Sequence, residues 1–228
     1  MNLEVTSAVW LSLRVAALAC VLALPFATAL GYLLSRREFR AKALLNTLVM
    51  APLVLPPVVT GLALLRLLGP NTPMGRALNA LGIRLAFNAW AAVIAAMVVG
   101  FPLFVSSARA AFDAVDVRYE ELAWSLGSTR WQSFVRVTLP LAWPGLAAGA
   151  MLAFARALGE FGATVIFAGN IEGETRTIAL AVYALLDLPG GESRVFWLAS
   201  ASVVLSAGSL VAHESLVRWQ RRRLDLEA

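Results

Sequence analysis

The sequence predicts an all-α integral membrane protein of about five transmembrane helices in one bundle. Composition is the first reason. Of 228 residues, 60% are hydrophobic and 14% charged, against about 25% charged in a soluble domain. Mean hydropathy is +0.75. Length is the second reason. Apolar runs at 8–34, 44–68, 86–110, 138–158 and 193–217 each reach the ~20 residues that carry a helix across the hydrocarbon core. Lipid offers the backbone no partners, so a single segment must bond to itself, and no alternating short segments suggest a barrel. Charge pattern is the third. The net charge of +5 comes from basic bursts that flank the apolar runs, as in membrane proteins. A nucleic-acid site would need a basic patch on a folded soluble surface, so no nucleic-acid partner is expected.

Each element follows in order. Run 8–34 is too long for a signal-peptide core, and Met1 to Ser7 carries Glu4 but no basic cluster, so it reads as a retained span. Its Cys20 is the only cysteine; it reads as a small buried hydrophobe and excludes a disulfide within the chain. Run 44–68 holds Pro52, Pro56 and Pro57, which free backbone carbonyls and kink or break a helix. Such backbone is tolerated in a membrane where it is buried in protein or lines a cavity. Two readings follow for Pro56, Pro57 and Thr60: a pathway-lining or gating element, or a packing kink. Run 86–110 leads into a polar loop at 111–137. Pro140 falls in the first turn of run 138–158, where a missing N–H costs little. The apolar stretch 175–188 is too short to cross and ends at Pro189-Gly190-Gly191, so it is expected as a short helix on the outer side. Run 193–217 precedes an arginine-rich tail. The whole chain, 1–228, is one transmembrane domain.

Spans alternate sides, which sorts the connectors into two groups. The segments 35–43, 111–137 and the tail carry Arg36, Arg37, Arg40, Lys42, Arg118, Arg130, Arg136, Arg218, Arg221, Arg222 and Arg223. The segments 69–85 and 159–192 carry Arg76, Arg84 and Arg176. The basic side is expected in the cytoplasm, with the N-terminus outside and the C-terminus inside.

Within the cytoplasmic loop, Asp113, Asp116, Glu120 and Glu121 precede or open a short helix, where carboxylates favour its positive end. Gly127 permits a bend. Ser128 or Thr129 can cap a second short helix, with Trp131, Phe134 and Val135 as apolar contacts. Glu120-Glu121 and Glu172 with Glu174 read as surface groups. The register of Glu121, Ala123, Gly127, Leu139 and Pro140 resembles the coupling loop of the binding-protein-dependent ATP-binding-cassette importer permeases. Val137 replaces that pattern's isoleucine, and Leu122 departs from its middle alanine. The resemblance implies a coupling helix pair that docks on an ATPase subunit, with Glu120, Glu121, Ala123, Gly127, Ser128, Leu139 and Pro140 as coupling residues.

A second constellation lies at 156–178. Gly159 and Gly162 flank Glu160-Phe161, so the helix should loosen there. Glu160 can pair with Arg156 at i,i+4, and Phe161 can act as an apolar plug. Gly-Glu-Phe-Gly-Ala-Thr at 159–164, the later Gly-Glu-Thr-Arg-Thr-Ile at 173–178, and Leu53 to Val59 resemble the permease subunits of molybdate importers. Sulfate and thiosulfate permeases share the Glu-Phe-Gly core. The candidate pathway or gate set is Pro56, Pro57, Thr60, Arg156, Glu160, Phe161 and Gly162. Arg14, Arg66 and Arg156 lie in or near apolar runs, where charge is functional by default, although Arg14 and Arg66 are close enough to span ends to snorkel. His213, the only histidine, reads as an ordinary interfacial residue, since a metal site needs several ligands.

No phosphate loop is present: the one lysine, Lys42, lies between Ala41 and Ala43 rather than after a Gly-x-x-x-x-Gly pattern. No set of catalytic groups converges, so an enzyme is not expected. The resemblance implies ATP-driven import across a bacterial or archaeal cytoplasmic membrane. It also implies a second copy of the chain, two ATPase subunits that carry ATP and magnesium, and an extracytoplasmic oxyanion-binding protein. Tungstate and sulfate are alternative cargoes. A channel or secondary transporter working without nucleotide is the alternative from another class.

Overall fold

The computed structural model describes residues 3–186 and 188–226, and its regular structure there is helical. Helix α1 spans Leu3–Arg36, α2 Lys42–Val54, α3 Pro57–Leu68, α4 Pro73–Ala80 and α5 Ala89–Asp113. Two short helices follow, α6 Val117–Ser125 and α7 Arg130–Ser133, and then a π-helical segment, Phe134–Thr138. The last four are α8 Leu139–Leu158, α9 Gly162–Phe167, α10 Ile178–Leu186 and α11 Glu192–Leu226. Among the described residues, four stretches are long and apolar enough to cross a membrane: α1, α5, the rod Arg130–Leu158, and α11.

The fifth expected span, 44–68, is not one straight helix. It breaks into α2 and α3, and the chain bends by 114° between them. The cause is local. Pro56 and Pro57 have no N–H to continue the ladder after Leu55, whose own N–H still reaches Ala51 O at 3.0 Å. Even so, the pair joins opposite ends of the bundle. Helices α1 and α5 run parallel, since Ala16 and Ala19 share a cluster with Ala92 and Ala96, while Ser35 Oγ donates to Asp113 Oδ1 at 2.6 Å. The chain between them must therefore return to its starting end, and α2–α3 is that return.

Helix α8 runs antiparallel to α5, with Gly100 against Ala153 and Gly149 against Ser107 and Phe104. Helix α11 reverses again, with a His213 ring nitrogen 2.8 Å from Ala148 O. Small residues dominate the α1–α5–α8 core. A Cβ on Gly31 would lie 2.6 Å from Ala108 Cβ, and one on Gly149 2.7 Å from Ser107 Cβ. Lipid tails are as apolar as leucine, so these helices gain by close backbone approach rather than by escape from water.

Two other boundaries differ from expectation. The helix after the polar loop is no separate piece: α7, the π segment and α8 are continuous. Pro140 cannot donate to the carbonyl of Arg136, and the ladder widens there, with Leu139 N–H reaching back to Phe134 O. Within 175–188 the expected short helix is present as the nine-residue α10, which starts only at Ile178, whose N–H bonds to Ser12 Oγ at 2.8 Å. Residues 1, 2, 187, 227 and 228, which fall within the ranges expected from the sequence, lie outside the described residues, as do the side chains of Arg221 and Arg223.

Candidate functional site

The polar loop is held by caps at three helix ends. Asp116 caps α6, its carboxylate accepting Arg118 N–H at 2.9 Å. At the other end Gly127 takes φ +87°, its N–H bonds to Trp124 O and Ser128 N–H bonds to Ala123 O, both at 2.9 Å. This double closure needs a residue that enters the left-handed region. Of the two expected caps for the next helix, Thr129 serves. Its Oγ1 accepts Gln132 N–H at 3.2 Å, and Gln132 Oε1 accepts Thr129 N–H at 2.9 Å. Ser128 donates its backbone N–H to the glycine turn instead.

Glu120 is not a surface group, contrary to expectation: it is 4% exposed. Its Oε1 accepts from Arg36 Nε at 3.0 Å and from Thr138 Oγ1 at 3.0 Å. Arg36 also donates to Val115 O at 2.7 Å. Tyr32, whose hydroxyl is 3.5 Å from Oε2, stacks edge-on against Phe112 and Phe134. The physical reason is charge compensation, since a carboxylate is buried only when paired and hydrogen-bonded. One side chain thus ties together the end of α1, helix α6 and the segment entering α8. Arg36, Thr138 and Tyr32 were missed as site residues. Arg36 and Glu120 are far apart in sequence, and no local pattern joins them.

The other coupling candidates divide by exposure. Glu121 is exposed, Ala123 buried, Leu139 half-buried and Pro140 exposed. Leu122, Leu126 and Trp131 present bare apolar surface, Leu126 at 86% exposure. The loop is therefore anchored on its inner side and apolar on its outer side.

The pathway candidates also meet. Helix α3 packs on α9 so closely that a Cβ on Gly162 would lie 2.9 Å from Pro57 Cβ, and one on Gly61 2.7 Å from Ala163 O. The proline break and the glycine break therefore form one joint. Pro56 is exposed, Pro57 half-buried and Thr60 buried, and Thr60 Oγ1 has no hydrogen-bond partner among the described residues. Helix α8 stops at Leu158 and α9 starts at Gly162, as the flanking glycines implied. Buried Glu160 accepts from Arg156 Nη1 at 2.9 Å and from Ala163 N–H at 2.8 Å. Its carboxylate neutralises Arg156 and caps α9 together. The Phe161 ring lies 5.2 Å from that of Tyr183.

Arg14 and Arg66 are exposed, with the Arg14 guanidinium 4.7 Å from the Trp10 ring centre. Glu172 and Glu174 are exposed, as expected. Among the described residues, no group of three or more His, Cys, Asp or Glu is placed to hold a metal.

Residues 23–225 match the model of the family described as binding-protein-dependent transport system inner membrane component. The chain is 48% identical over 217 residues, 95% of each chain, to the molybdenum transport system permease protein ModB of Escherichia coli K12. It is 41% identical over 219 residues, 96% of each chain, to ModB of Haemophilus influenzae. Its fold is that of the methionine ABC transporter MetNI in inward-facing conformations, with TM-score 0.72, 17% identity, and coverage of 96% of this chain and 99% of that one.

Proposed function

This chain belongs to the family of binding-protein-dependent transport system inner membrane components, and from that membership we propose that it is the transmembrane permease subunit of an ATP-driven importer and forms the pathway for molybdate. The single observation that carries the cargo is the 48% identity over 95% of both chains to a molybdenum permease. Two copies enclose the path. The exposed apolar strip Leu53, Val54, Val58, Val59 and Leu62 beside the α2–α3 bend supports this, because a lone bundle leaves it bare. Each copy docks a cytoplasmic ATPase subunit, which holds ATP and magnesium, through Leu122, Glu121 and Leu126. An oxyanion-binding protein docks at the opposite end. The basic end is cytoplasmic, with the N-terminus outside.

The mechanism is a population shift between inward- and outward-open states. ATP draws the ATPase pair together and moves the two loops. The capped turn at Gly127 keeps α6 and α7 at a fixed angle, and the Glu120 clasp passes the displacement to α1 and α8 at once. Because α7 runs into α8 without a break, motion of the loop rotates that rod. Its far end is the Gly159–Gly162 break, which abuts Pro57, so the bent α2–α3 element gates the path. The ion needs only weak neutral donors along it, and the unpartnered Thr60 hydroxyl is one such group.

The test is uptake into vesicles holding the chain with its ATPase and binding protein. Molybdate accumulation that requires ATP, and that sulfate fails to suppress at equal concentration, is expected. Accumulation without ATP would overturn the importer class; preferential suppression by sulfate or tungstate would overturn the cargo.

A further inference from the structure

A groove runs between α1 and the α6–α8 segment; the Glu120 clasp forms part of its wall, but the coupling reading gives its length no occupant. It measures about 1020 Å³, at the upper end of the ~300–1,000 Å³ in which proteins hold small molecules. Its walls are graded. Leu24, Pro25 and Ala29 of α1 line it with Trp143 and Leu146 of α8, giving an apolar length that lies along two membrane-crossing helices. At the basic end it is lined by Arg37, where α1 stops, and Arg130, where α7 starts, with Trp124 and Trp131. The Arg130 guanidinium lies 5.7 Å from the Trp124 ring centre. Arg36 also lines the groove, but its charge is committed to Glu120. Among the described residues, neither Arg37 nor Arg130 has a carboxylate partner.

We propose that this groove holds an anionic glycerophospholipid of the surrounding bilayer, its phosphate on Arg37 and Arg130 and its acyl chains along the α1–α8 wall. The guanidinium fork matches a phosphate, and basic pockets between membrane helices on the cytoplasmic side take anionic headgroups. Tryptophan favours the headgroup level. A free phosphate would leave the apolar length unfilled. A second copy of the chain would have to bring carboxylates against two uncompensated arginines. A phospholipid satisfies both ends of the groove. It joins α1 to the α6–α7 turn in parallel with the Glu120 clasp, so anionic lipid stiffens the link between loop and bundle. This inference rests on the chain's being a membrane component, not on its cargo or its motor.

The experiment is native mass spectrometry of the full chain in mild detergent with equal phosphatidylglycerol and phosphatidylcholine. Wild type is expected to retain phosphatidylglycerol preferentially. R37Q/R130Q is expected to lower that preference about thirtyfold, and each single variant about fivefold, from ~1 kcal/mol per arginine. The single variants carry the test if the double variant fails to fold. R40Q, which removes an exposed arginine outside the groove, should leave the preference unchanged. Equal retention of the two lipids by wild type overturns the proposal, as does an R40Q effect equal to that of R37Q/R130Q. Crosslinking of two W143C chains to each other, with no lipid adduct, assigns the groove to a second copy and also overturns it. None of these outcomes touches the transport reading, because the assay contains neither nucleotide nor molybdate.

Discussion

Replacing Glu120 with alanine is expected to lower folding stability by about 3 kcal/mol and to uncouple the loop from the bundle. The magnitude follows from the clasp. Arg36 Nε and Glu120 Oε1 are 3.0 Å apart, with side chains 11% and 5% exposed. Removing one partner of a buried pair costs about 3–5 kcal/mol, because the other charge stays buried. The lower figure applies, since Arg36 keeps its 2.7 Å bond to Val115 O. The Tyr32 hydroxyl at 3.5 Å is too long to add much. For a chain of this size 1 kcal/mol moves the midpoint by roughly 2–4 °C, so the Glu120→Ala protein should melt about 6–12 °C lower in detergent. Thermal unfolding of wild type, Glu120→Ala, Arg36→Met and the double variant closes a thermodynamic cycle. The two changes should be sub-additive by about 2 kcal/mol, within the ~0.5–3 kcal/mol seen for contacting residues. A midpoint within about 2 °C of wild type, or additivity within ~0.5 kcal/mol, would refute the clasp.

Further outcomes are expected from the same geometry. Gly127→Val should abolish vesicle uptake while inserting normally. No heavy atom lies within 4 Å of the added Cβ, so the damage is backbone strain of about 1–2 kcal/mol in the left-handed region; Gly127→Asn, which tolerates that region, should keep most uptake. Unchanged transport by the valine protein would count against the coupling loop. Gly162→Val should push α3 from α9, since the Cβ meets Val58 N at 3.1 Å, lowering stability by about 1–3 kcal/mol. Gly159→Ala, whose nearest neighbour is 4.0 Å away, should have little effect, and equal melting of the two variants would sink the joint. Leu126→Asp should fold as wild type yet fail to retain the ATPase on an affinity column; normal retention would move the docking surface elsewhere. The purified chain alone should hydrolyse no ATP, and measured turnover would end the division of labour.

Much of this was legible in the sequence because the bilayer restricts what a chain can do. Apolar length located four straight spans, arginine placement set an expected sidedness, and proline or glycine marked both breaks. The cap at Asp116 and the left-handed Gly127 are likewise local, set by residues within one turn. What the linear order hid was every relation across the bundle. Glu120 and Glu121 are neighbours with the same chemistry, yet one is buried in a clasp and the other exposed. Only the arrival of Arg36 and Thr138 from two other segments separates them. The same holds for the meeting of Pro57 with Gly162, and for the return path of the bent α2–α3 pair. Local backbone chemistry acts over one helical turn and is written in adjacent residues. Burial and charge pairing depend on which distant helix supplies the neighbour, and the packing of small residues in the tertiary structure decided that.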